Sequence, residues 1–178
     1  MHHPQSLEPW LRGTLTDVPA IQSGVLHALE LAREDTHRWC AGLTDEEVDA
    51  RPCGLPSVGF HLRHIIGSLD RLLSYAESRE LTAEQLQVLQ LEAKPGDTVH
   101  SLLQRFDAAI RISSDRVRQF RPQDFEQPRA VGRAKLPTTV GGLLVHIADH
   151  TQRHLGQLIT TAKLIKDKNC LGGPSSTL

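Results

Sequence analysis

The chain has 178 residues, enough for one ordinary domain and too few for two unless both were unusually small. Hydrophobic residues make up 39% and charged residues 23%, which excludes disordered and fibrous classes. Twenty basic residues against 21 acidic ones leave a formal net charge of −1, so the total gives no argument for a nucleic-acid partner and any basic patch must be local.

No apolar run approaches the ~18 residues of a membrane span, and the chain does not open on the continuous hydrophobic segment of a secretory signal. A cytoplasmic protein without a membrane partner is the expectation. Cys40, Cys53 and Cys170 stand apart with no C-x-x-C pair, which argues against a disulfide framework. Histidine is the unusual feature: of ten, five (His61, His64, His146, His150 and His154) fall in two short stretches.

Residues 1–16 read as a loose lead-in with one turn around Leu7 to Leu11. Val18, Ile21, Val25, Ala28, Ala32 and Trp39 then recur at helical spacing, with Asp17 as the expected N-cap and Gly42 as the stop. Thr44 to Pro56 is an acidic turn and loop. A second helix is expected from Ser57 to about Arg79, on the stripe Val58, Leu62, Ile65, Leu69, Leu72 and Ala76. Thr82 to Glu92 forms a short connecting helix before Pro95-Gly96 breaks the chain. The third long helix runs from Val99 to about Phe120, capped by Asp97 or Thr98.

Arg121 to Pro137 contains three prolines and reads as a long irregular connection, with no convincing strand alternation anywhere in the chain. Thr138 or Thr139 caps a fourth long helix from Val140 to about Ile165, and 172–178 is a frayed tail. The expected fold is all-α: a single four-helix-bundle domain over 1–178, with a long connection between its third and fourth long helices.

On the fourth helix, with Ile147 at zero and the apolar centre at about +20°, His154 falls at about −20°, His150 at about −60° and His146 at about −100°. His150 and His154 are therefore the inward pair. Imidazoles at i and i+4 converge from one side of a helix and make half of a site for zinc, nickel or a similar cation. A third ligand must come from another helix, and the second offers His61 and His64. Periodicity alone favours His61 as the buried one.

The stretches Ser57-Val58-Gly59-Phe60-His61-Leu62-Arg63-His64-Ile65 and His146-Ile147-Ala148-Asp149-His150-Thr151-Gln152-Arg153-His154-Leu155-Gly156-Gln157-Leu158 resemble the two metal-binding helices of the DinB/YfiT-like superfamily. The order of elements along the whole chain is similar too, including Arg51-Pro52 after the acidic turn. The resemblance implies a four-helix bundle whose second helix supplies one histidine, and whose fourth supplies an H-x-x-x-H pair, to a divalent metal, zinc or nickel. By motif the ligands would be His64, His150 and His154, with His61 the alternative to His64. The sequence departs from the family pattern at Thr151, where an acidic residue is common, and at Leu155, where arginine is.

Other chemistries lack their residues. Thr151, Gln152 and Arg153 fill the interval in which a zincin protease needs H-E-x-x-H, and there is no P-loop, G-x-G-x-x-G or G-x-S-x-G. Cys53 is a lone loop thiol, more in keeping with an inert one. Asp35, on the apolar side of the first helix, is expected to orient a ligand imidazole or to pair with an arginine. Arg111, Arg116, Arg118, Arg121, Arg129, Arg133 and Lys135 form a basic run interleaved with acids, read as a solvated surface.

Three histidines would leave coordination positions free, as a catalytic rather than a structural site does. The expectation is a metal-dependent transferase, isomerase or hydrolase acting on a small electrophilic molecule, with a low-molecular-weight thiol as a possible second cofactor and a homodimer as a possible assembly. The alternative is a non-catalytic helical scaffold.

Overall fold

The computed structural model describes residues 7–167. The tail expected over 172–178 lies outside them, as do the first six residues of the lead-in. Four long helices carry the structure: α1 (Ala20–Cys40), α2 (Val58–Ala76), α4 (Val99–Arg118) and α5 (Val140–Lys166), with a short α3 (Ala83–Leu91) between α2 and α4. They match the helices expected from periodicity, and their ends follow the local chemistry of the chain.

Ser57 Oγ accepts from Phe60 N at 3.0 Å to open α2, Thr98 caps α4 through Ser101 N, and Thr139 caps α5 through Gly142 N. Thr82 and Gln85 form a reciprocal capping box on α3. The expectation for Asp17 is corrected: the N-cap of α1 is Pro19, which bonds through no side chain and whose carbonyl accepts from Ser23 N at 2.8 Å. Proline lacks an N–H that would otherwise need a partner there, so the helix starts without a polar cap.

Each of α4 and α5 packs against both α1 and α2, so the four long helices close into a ring. Leu29, Leu62, Leu73, Phe106, Leu144, Ile147 and Leu158 are fully buried at its centre. Removing each such side chain from water contributes about 1.5–3 kcal/mol. Helix α3 stands apart: none of its residues is buried.

The connection between α4 and α5 is not irregular, which corrects the expectation for Arg121 to Pro137. After a 3-10 turn at Pro122–Asp124, strands β1 (Pro128–Val131) and β2 (Leu136–Thr139) pair antiparallel, with Pro128 opposite Thr139 and Val131 opposite Leu136. Gly132 and Lys135 take left-handed φ values of 69° and 49° in the turn. In a two-stranded ribbon both strands are edges, so Pro128 and Pro137 are tolerated, yet the same prolines erase the alternation that marks a strand. The hairpin delivers the chain to α5: Val140 N bonds Gln127 O at 3.1 Å and Gly141 N bonds Phe125 O at 2.8 Å.

Several basic residues of this region are occupied by structure. Arg116 bonds Glu77 and Asp70, each at 2.7 Å, Arg121 pairs with Asp124, and Arg129 donates to the carbonyl of Ala76 at 2.7 Å. No described helix is long and apolar enough to cross a membrane.

Candidate metal centre

Helices α2 and α5 lie side by side, and their histidines meet in the seam. His64 Nε2 lies 3.3 Å from His150 Nε2, and one ring nitrogen from each of His64, His150 and His154 lies within 4.8 Å of the other two. His61 is 1% exposed and places Nδ1 3.2 Å from Nδ1 of His154. Helical periodicity was a correct guide to the burial of His61, while His64 is the α2 histidine that converges with the α5 pair. His146 sits further out, its Nδ1 3.3 Å from Asp149 Oδ2.

Burial and the neighbouring imidazoles make protonation costly here. Burial first, and then His154 and His64, push His61 down to about 4; the same causes in the same order, with His146 and Arg153 adding, push His150 to about 4. His154 is also lowered, chiefly by burial. At neutral pH these rings are uncharged, the state in which imidazole nitrogen binds a metal.

Glu92 sets the orientation of His64. Its Oε2 lies 2.7 Å from His64 Nδ1. Because a carboxylate only accepts, Nδ1 carries a proton, and Nε2 is the nitrogen turned toward His150. Phe60 stacks on the His64 ring at 5.6 Å with an 11° interplanar angle and covers one of its faces. The carboxylate is itself held: Glu92 is 4% exposed, Arg71 Nη1 is 2.8 Å from its Oε1, and Arg63 Nε donates to its carbonyl at 2.9 Å. Arg63 continues the chain of contacts to Asp49 at 2.6 Å and to Asp97 at 3.1 Å.

Gly67 makes the close approach possible. A Cβ there would stand 2.6 Å from both Arg71 Nη1 and Glu92 Oε1, so a side chain would displace the pair that supports His64. Sequence reasoning missed Glu92 because it follows a helix with no buried residue and no periodicity marks it.

Asp35 does not orient a ligand. It lies 3.4 Å from Arg38 on its own helix, and burial raises its carboxyl above the usual range despite that arginine. Of the two roles expected for it, the ion pair is the one present. Cys53 is an exposed free thiol in a loop turn with φ 51°.

The donor set suits a borderline divalent cation. Two nitrogens bound tetrahedrally to one zinc at about 2.0–2.1 Å stand roughly 3.3–3.4 Å apart, the separation seen between His64 and His150. Two lone pairs facing at this distance repel unless a proton or a cation lies between them.

The model of the DinB superfamily matches residues 28–158, a span that includes both histidine helices. The chain belongs to the DinB superfamily. Among curated proteins none matches. A crystal structure of a conserved protein from Enterococcus faecalis is similar, with a TM-score of 0.67 over 81% of this chain and 96% of that one. At 18% identity that likeness is one of fold. Membership of the superfamily, the helical fold and a histidine cluster in the α2–α5 seam are thus all in place.

Proposed function

We propose that this DinB-superfamily member is a divalent-metal-dependent enzyme in which His64, His150 and His154 hold a zinc or nickel ion and act on a small electrophilic substrate. One observation carries the reading: three imidazoles from two helices converge, with Glu92 bound to the nitrogen of His64 that faces away from the cluster. When bound, such an ion supplies Lewis acidity and lowers the pKa of a coordinated water or low-molecular-weight thiol toward neutrality.

The protein's own groups do the positioning. Glu92 keeps Nε2 of His64 available, His61 braces His154 from within the core, and Phe60 shields one side of the His64 ring from water. With three protein donors and no fourth residue in the cluster among those described, coordination positions remain for water or a thiol sulfur.

Elemental analysis of protein purified without a nickel column tests the ligand assignment. About one metal per chain is expected, with loss in His64→Ala, His150→Ala or His154→Ala. A metal-free wild-type protein as stable as a metal-supplemented one would instead favour a non-catalytic scaffold. Turnover of a panel of electrophiles with and without thiols, lost on chelation and restored by zinc or nickel, tests the enzyme assignment.

A further inference from the structure

On the far side of the ring from the histidines, the lead-in, α1 and α4 enclose a cavity of about 670 Å³, within the range of small-molecule sites. Its floor is apolar: Leu26 and Ile110 are 4% and 5% exposed, and Leu15 of the lead-in adds a third side chain. Its walls are basic. Arg33 comes from α1, while Arg111 and Arg118, two turns apart on α4, come from the other wall.

The state of these arginines sets the cavity apart. Arg63, Arg71, Arg105, Arg116, Arg121 and Arg153 all have acidic partners. Among the described residues Arg33 and Arg111 make no ion pair or hydrogen bond, and Arg118 reaches only the carbonyl of Ser114 at 3.4 Å. The two acids in the lining are already engaged elsewhere: Glu30 with Arg12 at 3.3 Å and Asp107 with His37 at 2.9 Å. Guanidinium groups from two helices therefore share one concavity without a direct ion pair, with Glu30 and Asp107 on its wall and the Glu34 carboxylate near Arg33 as the nearby acids. The lip is also strained, since Leu15 holds φ at 59°, a conformation that a leucine adopts at a cost and that clusters at ligand clamps. Arg12 straps this segment to α1 through Glu34, at 2.6 and 2.7 Å.

We infer that this cavity binds an oxyanion carried on an apolar body, with Arg33, Arg111 and Arg118 on the phosphate or carboxylate and Leu15, Leu26 and Ile110 against the hydrocarbon. Planar guanidiniums recognise both anions through paired N–H bonds, and the floor excludes water from the rest of the molecule. The assignment is independent of any metal.

Titration of the full-length protein with 1-naphthyl phosphate, 1-naphthoate and uncharged 1-naphthalenemethanol, followed by calorimetry and backbone amide shifts, tests it. Saturable binding of at least one anion is expected, with shifts confined to 13–33 and 107–118 and at least tenfold weaker binding of the alcohol. Preference for naphthyl phosphate assigns a phosphate ester and preference for naphthoate a carboxylate. The double variant Arg33→Gln/Arg111→Gln should weaken binding at least tenfold with its thermal transition retained; Arg118→Gln provides a second variant should the double variant unfold. His150→Ala should bind as wild type does. Absent saturation, equal affinity for the alcohol, unchanged affinity in the arginine variants, or shifts centred on His64 and His150 would each overturn the assignment. So would concentration-dependent self-association that buries this face.

Discussion

Beside the histidines Arg63, Arg71 and Glu92 are buried and paired with one another or with nearby acids, whereas across the molecule Arg33 and Arg111 stand exposed around a cavity, with no ion pair among the described residues. Burial explains the difference. A charge removed from water must be matched, so the α2 network closes on itself and holds the His64 ring in a fixed orientation. An exposed arginine keeps its hydration and stays available.

Breaking the α2 network should produce the largest effect. Glu92→Ala strands Arg71 in the interior, and we expect a loss of about 3–5 kcal/mol in urea-induced unfolding. Glu92→Gln retains the shape, and is expected to weaken metal affinity by about 10–100-fold in a competition titration with a chelator. The same titration on Arg33→Gln should show no change.

Two glycines sharpen the contrast between a crowded helix face and an open one. Gly67→Ala places a methyl against Arg71 and Glu92, so overpacking of about 1–3 kcal/mol should exceed the gain in helix propensity of about 1 kcal/mol and lower both stability and metal affinity. At Gly156, in the interior of α5, a Cβ would meet nothing within 4 Å. Gly156→Ala is therefore expected to stabilise by about 0.5–1 kcal/mol, read as a higher midpoint in the same unfolding experiment.

The smallest effect concerns the lead-in. Arg12 holds the Glu34 carboxyl below its usual value of 4.5, chiefly through their hydrogen bond. A lowered folded-state pKa contributes stability that is present above the unfolded value and lost as pH falls through the folded one. Arg12→Ala should therefore lower Tm slightly at pH 7, and the gap from wild type should close as the pH is taken below 4.5 toward the folded-state value of Glu34.

The parts of the fold that were legible in the sequence are those that depend on near neighbours. Apolar residues at three- and four-residue intervals marked all four long helices, and the caps of α4 and α5 were narrowed to Asp97 or Thr98 and to Thr138 or Thr139, because a cap is a bond to an amide three residues on. The hairpin was hidden because Pro128 and Pro137 broke its alternation. Asp17 misled because a polar residue two positions before a proline looks like a cap until the helix is seen to start after Pro19.

At the candidate site the local pattern reached as far as His150 and His154, one turn apart on α5, and narrowed the second helix to His61 or His64. The family motif pointed to His64 while periodicity pointed to His61, and the relative placement of two helices shows why each pointed as it did. Both face α5 at different depths, so the buried ring meets His154 while the half-buried one joins the cluster.

The sequence by itself determined which segments form the long helices and that histidines lie on two of them, since each is a property of residues within a turn or two of each other. Only the tertiary structure decided which groups became partners. Glu92 meets a histidine 28 positions before it, Asp35 turned to an arginine, and three arginines from two helices came to line one cavity. These outcomes depend on how helices pack across the core, and the spacing of residues along the chain does not encode that distance.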